Sequence, residues 1–208
     1  MIRKALLTTA AAFVMMALSS IAHADTVTIV GNSTGSLSTA TVSCTFNDTT
    51  NTFTFTVTNT SPFDARITSV GFDIGPGNIN GFSGANVAGF TFRDGNLGNV
   101  AQFNGVDLDF GFTTGNSGNF NGGFPNNGIA PGQSLTFTVS GAGFGDNLTE
   151  EALCAAIYVR FQRVGTNDDS DVGRPNGNNP VPEPMTMILF GTGLAGVAAR
   201  ARRRRNKE

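Results

Sequence analysis

Phe53, Phe55 and Val57 alternate with threonines in the stretch NTFTFTVTN, and a period of two marks a strand with one buried face. The preceding TVSCTFN repeats the pattern with Val42, Cys44 and Phe46. With Asp48-Thr49-Thr50 as the turn, the two runs predict a hairpin. Threonine on the other face suits a solvated sheet surface. Further on, Arg66 to Ile74 alternates Val70, Phe72 and Ile74, and GFTFRD adds a short strand. VDLDFGF sets Val106, Leu108, Phe110 and Phe112 on one face. A Pro-Gly turn leads into Leu135, Phe137 and Val139, and AAIYVRFQRV points Ile157, Val159 and Phe161 inward against Tyr158, Arg160 and Gln162. Between these two strands, Thr149-Glu150-Glu151 reads as the start of a helical turn within Asn147 to Leu153. Seven or eight short strands with turn-rich spacers predict an all-β fold, an immunoglobulin-like or jelly-roll-like antiparallel β-sandwich.

Two stretches break the alternation. Gly75 to Gly89 and Gly115 to Gly128 are rich in glycine and asparagine and read as long loops. Residues 165–180, TNDDSDVGRPNGNNP at their heart, read as a flexible linker. The β-sandwich domain therefore spans 25–164. With no tryptophan in the chain, the sixteen phenylalanines between residues 25 and 179 supply the core.

The N-terminus follows a different pattern. Arg3 and Lys4 precede an almost wholly apolar run from Ala5 to Leu18, and Ala22-His23-Ala24 places small residues around a cut site. Residues 1–24 are thus a cleaved signal helix, processed by the secretion machinery and signal peptidase, with Asp25 as the first mature residue. Cleavage removes His23, the single histidine.

Charge separates along the chain. Between Asp25 and Asn179 there are five arginines, no lysine and thirteen carboxylates, a net of −8. Arg200 and Arg202, Arg203, Arg204 and Arg205, with Lys207, mask this in the whole-chain value of −2. So acidic a body excludes nucleic acid as a partner, since phosphates demand a basic footprint. Cys44 and Cys154, both exported, read as one disulfide in an oxidising compartment. By loop entropy it would contribute up to about 4 to 5 kcal/mol.

Candidate chemistry is sparse. Asp107 and Asp109 share the outer face of a predicted strand and are the carboxylate pair to test for hydrolysis of a matrix polymer. Asp168, Asp169 and Asp171 offer oxygens to calcium but lack the glycine and terminal glutamate of a helix-loop-helix site. Without an exported histidine, a nucleophilic triad lacks its usual base and a histidine-bound zinc is excluded. GTGLAG, Gly191 to Gly196, lies inside an apolar segment and not between a strand and a helix, so it is no dinucleotide fingerprint. No metal, no cofactor and no enzymatic activity are expected.

The C-terminus has three parts. Val181, Pro182, Glu183 and Pro184 form an extended tag, because proline fixes φ and lacks an amide donor. Met185 to Ala199 is free of charge and makes a short transmembrane helix of about 22 Å at ~1.5 Å per residue. A hydrocarbon core is about 30 Å thick, and the long arginine stems that follow can snorkel to the interface. The basic block of 200–208 stays in the cytoplasm by the positive-inside rule, which holds the body outside.

In this order and position the tail, 181–208, resembles that of the bacterial PEP-CTERM proteins. The resemblance implies that Val181 to Pro184 are the recognition tag of an exosortase, a membrane-embedded cysteine protease or transpeptidase. It also implies a host, typically Gram-negative, that makes exopolysaccharide. FTVTNTSPFDARITSVGFDI and IYVRFQRVGTNDDSDV are similar to segments of one group of PEP-CTERM ectodomains, the cistern-type group. The expectation is a non-enzymatic surface or extracellular-matrix protein, associated with biofilm or exopolysaccharide. It is tethered by its C-terminal helix until an exosortase cuts it. The competing expectations are a carbohydrate- or calcium-binding adhesion module and, behind it, the hydrolase.

Overall fold

Residues 25–75, 81–95, 97–103, 106–115, 118–144 and 148–175 are described by a computed structural model. Ten strands follow in chain order: β1 (Asp25–Gly31), β2 (Gly35–Asn47), β3 (Thr52–Asn59), β4 (Arg66–Phe72), β5 (Phe82–Gly84), β6 (Thr91–Asp94), β7 (Phe110–Thr113), β8 (Ser134–Gly141), β9 (Ile157–Val164) and β10 (Asp169–Pro175). One short helix, α1 (Glu150–Ala155), precedes β9.

The alternation has its expected consequence in the hairpin. β2 pairs with β3 from Ala40↔Asn59 to Asn47↔Thr52, and every second residue of β3 is buried. The outward residues meet across strands as hydroxyl pairs: Thr56 with Thr136 of β8 at 2.8 Å, and Thr58 with Ser134 at 2.8 Å. Such cross-strand pairs stabilise a solvated face.

The all-β antiparallel expectation holds, with a different closure. The strands form one continuous sheet in the order β5-β8-β3-β2-β1-β10-β9-β4-β7-β6, every pairing antiparallel. The sheet wraps around its own core until its ends approach, with the Phe92 ring of β6 packed over Gly84 of β5. The result is nearly barrel-like. Phenylalanines bridge the interior, with ring centroids 4.8 Å apart for Phe55 and Phe72, 4.6 Å for Phe112 and Phe137 and 4.5 Å for Phe82 and Phe110. These rings join the β3-β8-β5 wall to the β4-β7 wall and bury large apolar areas.

Three sequence expectations are corrected. First, the linker expected over 165–180 and the domain limit expected at 164 do not hold for the described residues. A 3-10 turn at Gly165–Asn167 leads into β10, which lies between β1 and β9. Its polar residues look like a linker because only one, Asp171, is needed inside, and its partners are more than 130 positions away.

Second, Val106, Leu108, Phe110 and Phe112 do not share a face. Only Phe110–Thr113 is strand, and Phe110 and Phe112 enter the main core. Leu108 packs in a second cluster with Leu97, Val100, Phe120, Tyr158 and Val172. Third, Tyr158 and Arg160 point away from the main core yet are buried, at 6% and 9% exposure, because this second cluster covers them. Residues 97–103 and 106–108, with Phe120, thus supply a layer over β4, β9 and β10, whereas Gly75 to Gly89, expected as a loop, contains β5 and sends Phe82 into the main core. That layer lies close: a Cβ on Gly71 of β4 would come 2.5 Å from Leu108 Cδ1.

β1, which the expected strands omit, alternates Val27 and Ile29 inward and joins β2 to β10. Its register puts Ile29 opposite Pro175 and Asp25 opposite Cys44. β10 therefore runs toward the end of the sheet at which β1 starts. At ~3.3 Å per residue, Pro175 sits about 13 Å along the sheet from the level of Asp25. Through Ala40, Asn59 at the end of β3 is level with Ile29 and so with Pro175.

Candidate functional site

The corner where β1 begins gathers the chemistry that the described residues bring together. Thr149 caps α1, its hydroxyl accepting from the Ala152 amide at 3.1 Å, and so fixes where Glu150 stands. The half-buried Glu150 carboxylate then receives two main-chain amides from distant strands. Asp25 N donates to Oε1 at 3.1 Å, and Phe46 N donates to Oε2 at 2.8 Å. One turn further along α1, Cys154 is disulfide-bonded to Cys44 of β2, with Cα atoms 5.9 Å apart. The Cys154 Sγ lies 3.7 Å from the Asp25 carbonyl oxygen, a packing contact because a disulfide sulfur carries no proton. Beside the corner, Thr45, Phe46, Asn47, Thr50, Thr52, Thr54 and Glu150 line an open cleft of about 610 Å³. The sequence marks Glu150 only as a helix start; its partners lie 125 and 104 positions away.

At the other end of β1, Asp171 is fully buried and surrounded by donors. Oδ1 accepts from Ser33 N at 3.1 Å, Ser33 Oγ at 2.9 Å and Val172 N at 2.8 Å. Oδ2 accepts from Thr34 N at 2.8 Å, Ser38 Oγ at 2.9 Å and the Thr34 hydroxyl. Burial by itself raises this carboxyl's pKa; the hydroxyl and amide donors of Thr34, Ser33 and Ser38 outweigh it and hold it below the ordinary value. A carboxylate with six protein donors has no lone pair left for a cation, so Asp171 is not a calcium ligand. Asp168 and Asp169 are exposed and do not join it. Among the described residues no group of three or more histidine, cysteine, aspartate or glutamate side chains is arranged to hold a metal.

Asp107 and Asp109 do not form a pair on one strand face. Asp107 makes an isolated bridge with Asn99 in the covering layer. Asp109 accepts from Ile74 N at 2.8 Å. Burial raises its pKa, the Ile74 amide works against this, and the charge of Asp73 adds to the rise.

The loops after β3 and before β8 carry the exposed large apolar side chains of the described residues: Phe63 at 55% and Phe124 at 49%. Their loops adjoin, since the Asn59 amide group donates to Ala65 O at 2.7 Å and Ile129 O at 2.8 Å.

Of the sequence-derived processing and disulfide residues, Cys44, Cys154 and Asp25 lie in the described region. Ala22 and Ala24 of the cut site, the tag Val181 to Pro184, the span 185–199 and the basic block from Arg200 to Arg205 lie outside it. Among the described residues no helix is long and apolar enough to cross a membrane.

Residues 180–204 match the sequence family described as the PEP-CTERM protein-sorting motif. The chain thus carries this motif in its tail, consistent with an exosortase substrate, and the match covers none of the strands. No curated protein and no solved structure matches the chain.

Proposed function

We propose that this protein is an exported bacterial surface or extracellular-matrix component, structural rather than catalytic, delivered by its tail to an exosortase and cut near Val181 to Pro184. The observation that carries this reading is the sorting-motif match over 180–204. Two further features support it. The Cys44–Cys154 disulfide suits an oxidising compartment outside the cytoplasm. The carboxylates that come closest to a catalytic or metal-binding role, Asp171 and Asp109, are engaged by protein donors.

The test is intact mass and fractionation of the protein from its own host, with and without the exosortase. The expected result is loss of the tail near Val181 to Pro184 and a body outside the membrane, with the tail kept in the exosortase-free strain. A tail retained in both strains overturns the reading.

A second reading, an adhesion module for exopolysaccharide, is favoured by one observation: Phe63 and Phe124 stand exposed on adjoining loops. Contiguous exposed apolar patches mark interaction sites, and the adjoining loops bring these two rings to one region of the surface. Binding of the exported protein to the host's exopolysaccharide, lost in a Phe63→Ala/Phe124→Ala variant that still folds, is its expected signature. Unchanged binding removes it.

A further inference from the structure

We infer that Glu150 is the receptor for the processed N-terminus, its carboxylate pairing with the α-ammonium that signal cleavage creates on Asp25. The inference rests on the reading that export cuts the chain between Ala24 and Asp25.

Before cleavage the Asp25 nitrogen is a neutral amide, already directed at Glu150 Oε1 at 3.1 Å. After cleavage the same atom is an amine that is protonated at neutral pH, where an α-amino group ordinarily titrates near 7.7 to 8.0. The contact becomes a charge-assisted hydrogen bond, roughly twice as strong as a neutral one. Glu150 is suited to receive it. Its other oxygen is held by Phe46 N at 2.8 Å, its helix is capped by Thr149, and that helix is bonded to β2 through Cys154. The carboxylate is thus positioned before the charge arrives, and little side-chain entropy is lost on pairing.

Composition adds an independent reason. The exported body has no lysine and a net charge of −8, and the ion pair seen among the described residues joins Arg66 to Asp64. Both partners observed on Glu150 are main-chain amides. A new cation at Asp25 is therefore placed against a half-buried carboxylate in a body short of positive charge. The folded body gains stability at the moment the signal is removed, and a body still joined to its signal lacks that gain.

The missing lysines also make the test clean. With the tail cut off, the α-amine is the single primary amine of the exported protein, so acetic anhydride neutralises that group alone. The first residue is identified by mass, and urea unfolding is followed with the disulfide intact, for the native protein and E150Q, each with and without acetylation. Acetylation of the native protein is expected to lower its folding constant roughly tenfold, the gap between a charge-assisted and a neutral hydrogen bond. Acetylation of E150Q is expected to change it little, and the amine of E150Q should acetylate faster than that of the native protein. Equal losses in both proteins, or no loss in the native one, overturn the pairing while leaving the cleavage reading intact. A first residue other than Asp25 instead overturns the cleavage reading, and the pairing with it.

Discussion

Replacing Asp171 by asparagine removes one charge and no volume, yet it should cost a large share of this protein's stability. An asparagine can keep its oxygen toward Ser33 N, Ser33 Oγ and Val172 N, the donors now on Oδ1. Its NH2 group then faces Thr34 N, Thr34 Oγ1 and Ser38 Oγ, the donors now on Oδ2. The two hydroxyls can rotate to accept, but Thr34 N cannot. Space offers no escape, because a Cβ on neighbouring Gly31 would already land on Asp171 Oδ2 and Ser38 Oγ. One buried amide is left facing a donor, at about 1 to 3 kcal/mol, and the bonds that remain lose their charge assistance. The expected loss is about 2 to 4 kcal/mol, against a typical total of about 5 to 15.

Urea unfolding with the disulfide intact reads this as a lower midpoint at unchanged slope. The pH dependence supplies a second readout. The folded pKa of Asp171 lies below its unfolded value, so its contribution is present above the unfolded pKa, near 4, and disappears as pH falls through the folded one. The native protein should lose stability over that acid range faster than D171N does. A D171N protein within about 0.5 kcal/mol of the native one would refute the account of Asp171 as a donor-saturated hub, since ordinary surface substitutions fall in that range.

Other perturbations test the rest of the fold. Reducing the disulfide, or a Cys44→Ser/Cys154→Ser variant, should lower stability by up to about 4 to 5 kcal/mol if loop entropy dominates; calorimetry gives the shift in Tm. Gly71→Val should cost about 1 to 3 kcal/mol by driving a side chain into Leu108 and Phe120, and a neutral outcome in urea would show that the covering layer is not packed there. Asp109→Asn should be neutral to stabilising at pH 7. The folded pKa of Asp109 is raised, first by burial, so its charged form disfavours folding above the unfolded pKa, and that penalty fades as pH falls through the folded one. The variant should therefore show a flatter pH profile than the native protein between those two values, and an unchanged profile would contradict the assignment.

The alternation of NTFTFTVTN and TVSCTFN needs no tertiary information to be read, because each strand's inner and outer residues are set by a two-residue period. The hairpin β2–β3 and the inward faces of β8 and β9 follow from it. The same rule failed at VDLDFGF, where the chain crosses from the covering layer into the core between Leu108 and Phe110. Alternation records that residues are buried, not which of two apolar clusters buries them. It also failed at DDSDVGRP, a strand whose polar content reflects a buried carboxylate and a solvated face. That a polar run lies between two other strands is decided by pairings across the whole chain, and these leave no local trace.

The tail is the opposite case. A proline-fixed tag, an apolar span and an arginine block act through short-range physics: fixed φ, transfer out of water and charge at a membrane face. Their order along the chain is enough to read them. Cysteine parity and compartment likewise paired Cys44 with Cys154 before any geometry was known. Only the folded structure could bring the Asp25 amide to Glu150, six donors to Asp171, and Phe63 beside the loop of Phe124. Each joins elements that neighbour one another in the sheet or pack at its ends, and not in sequence. Local alternation sets which side of a strand is buried, but the order in which strands pair is set by how one sheet closes around a core rich in phenylalanine.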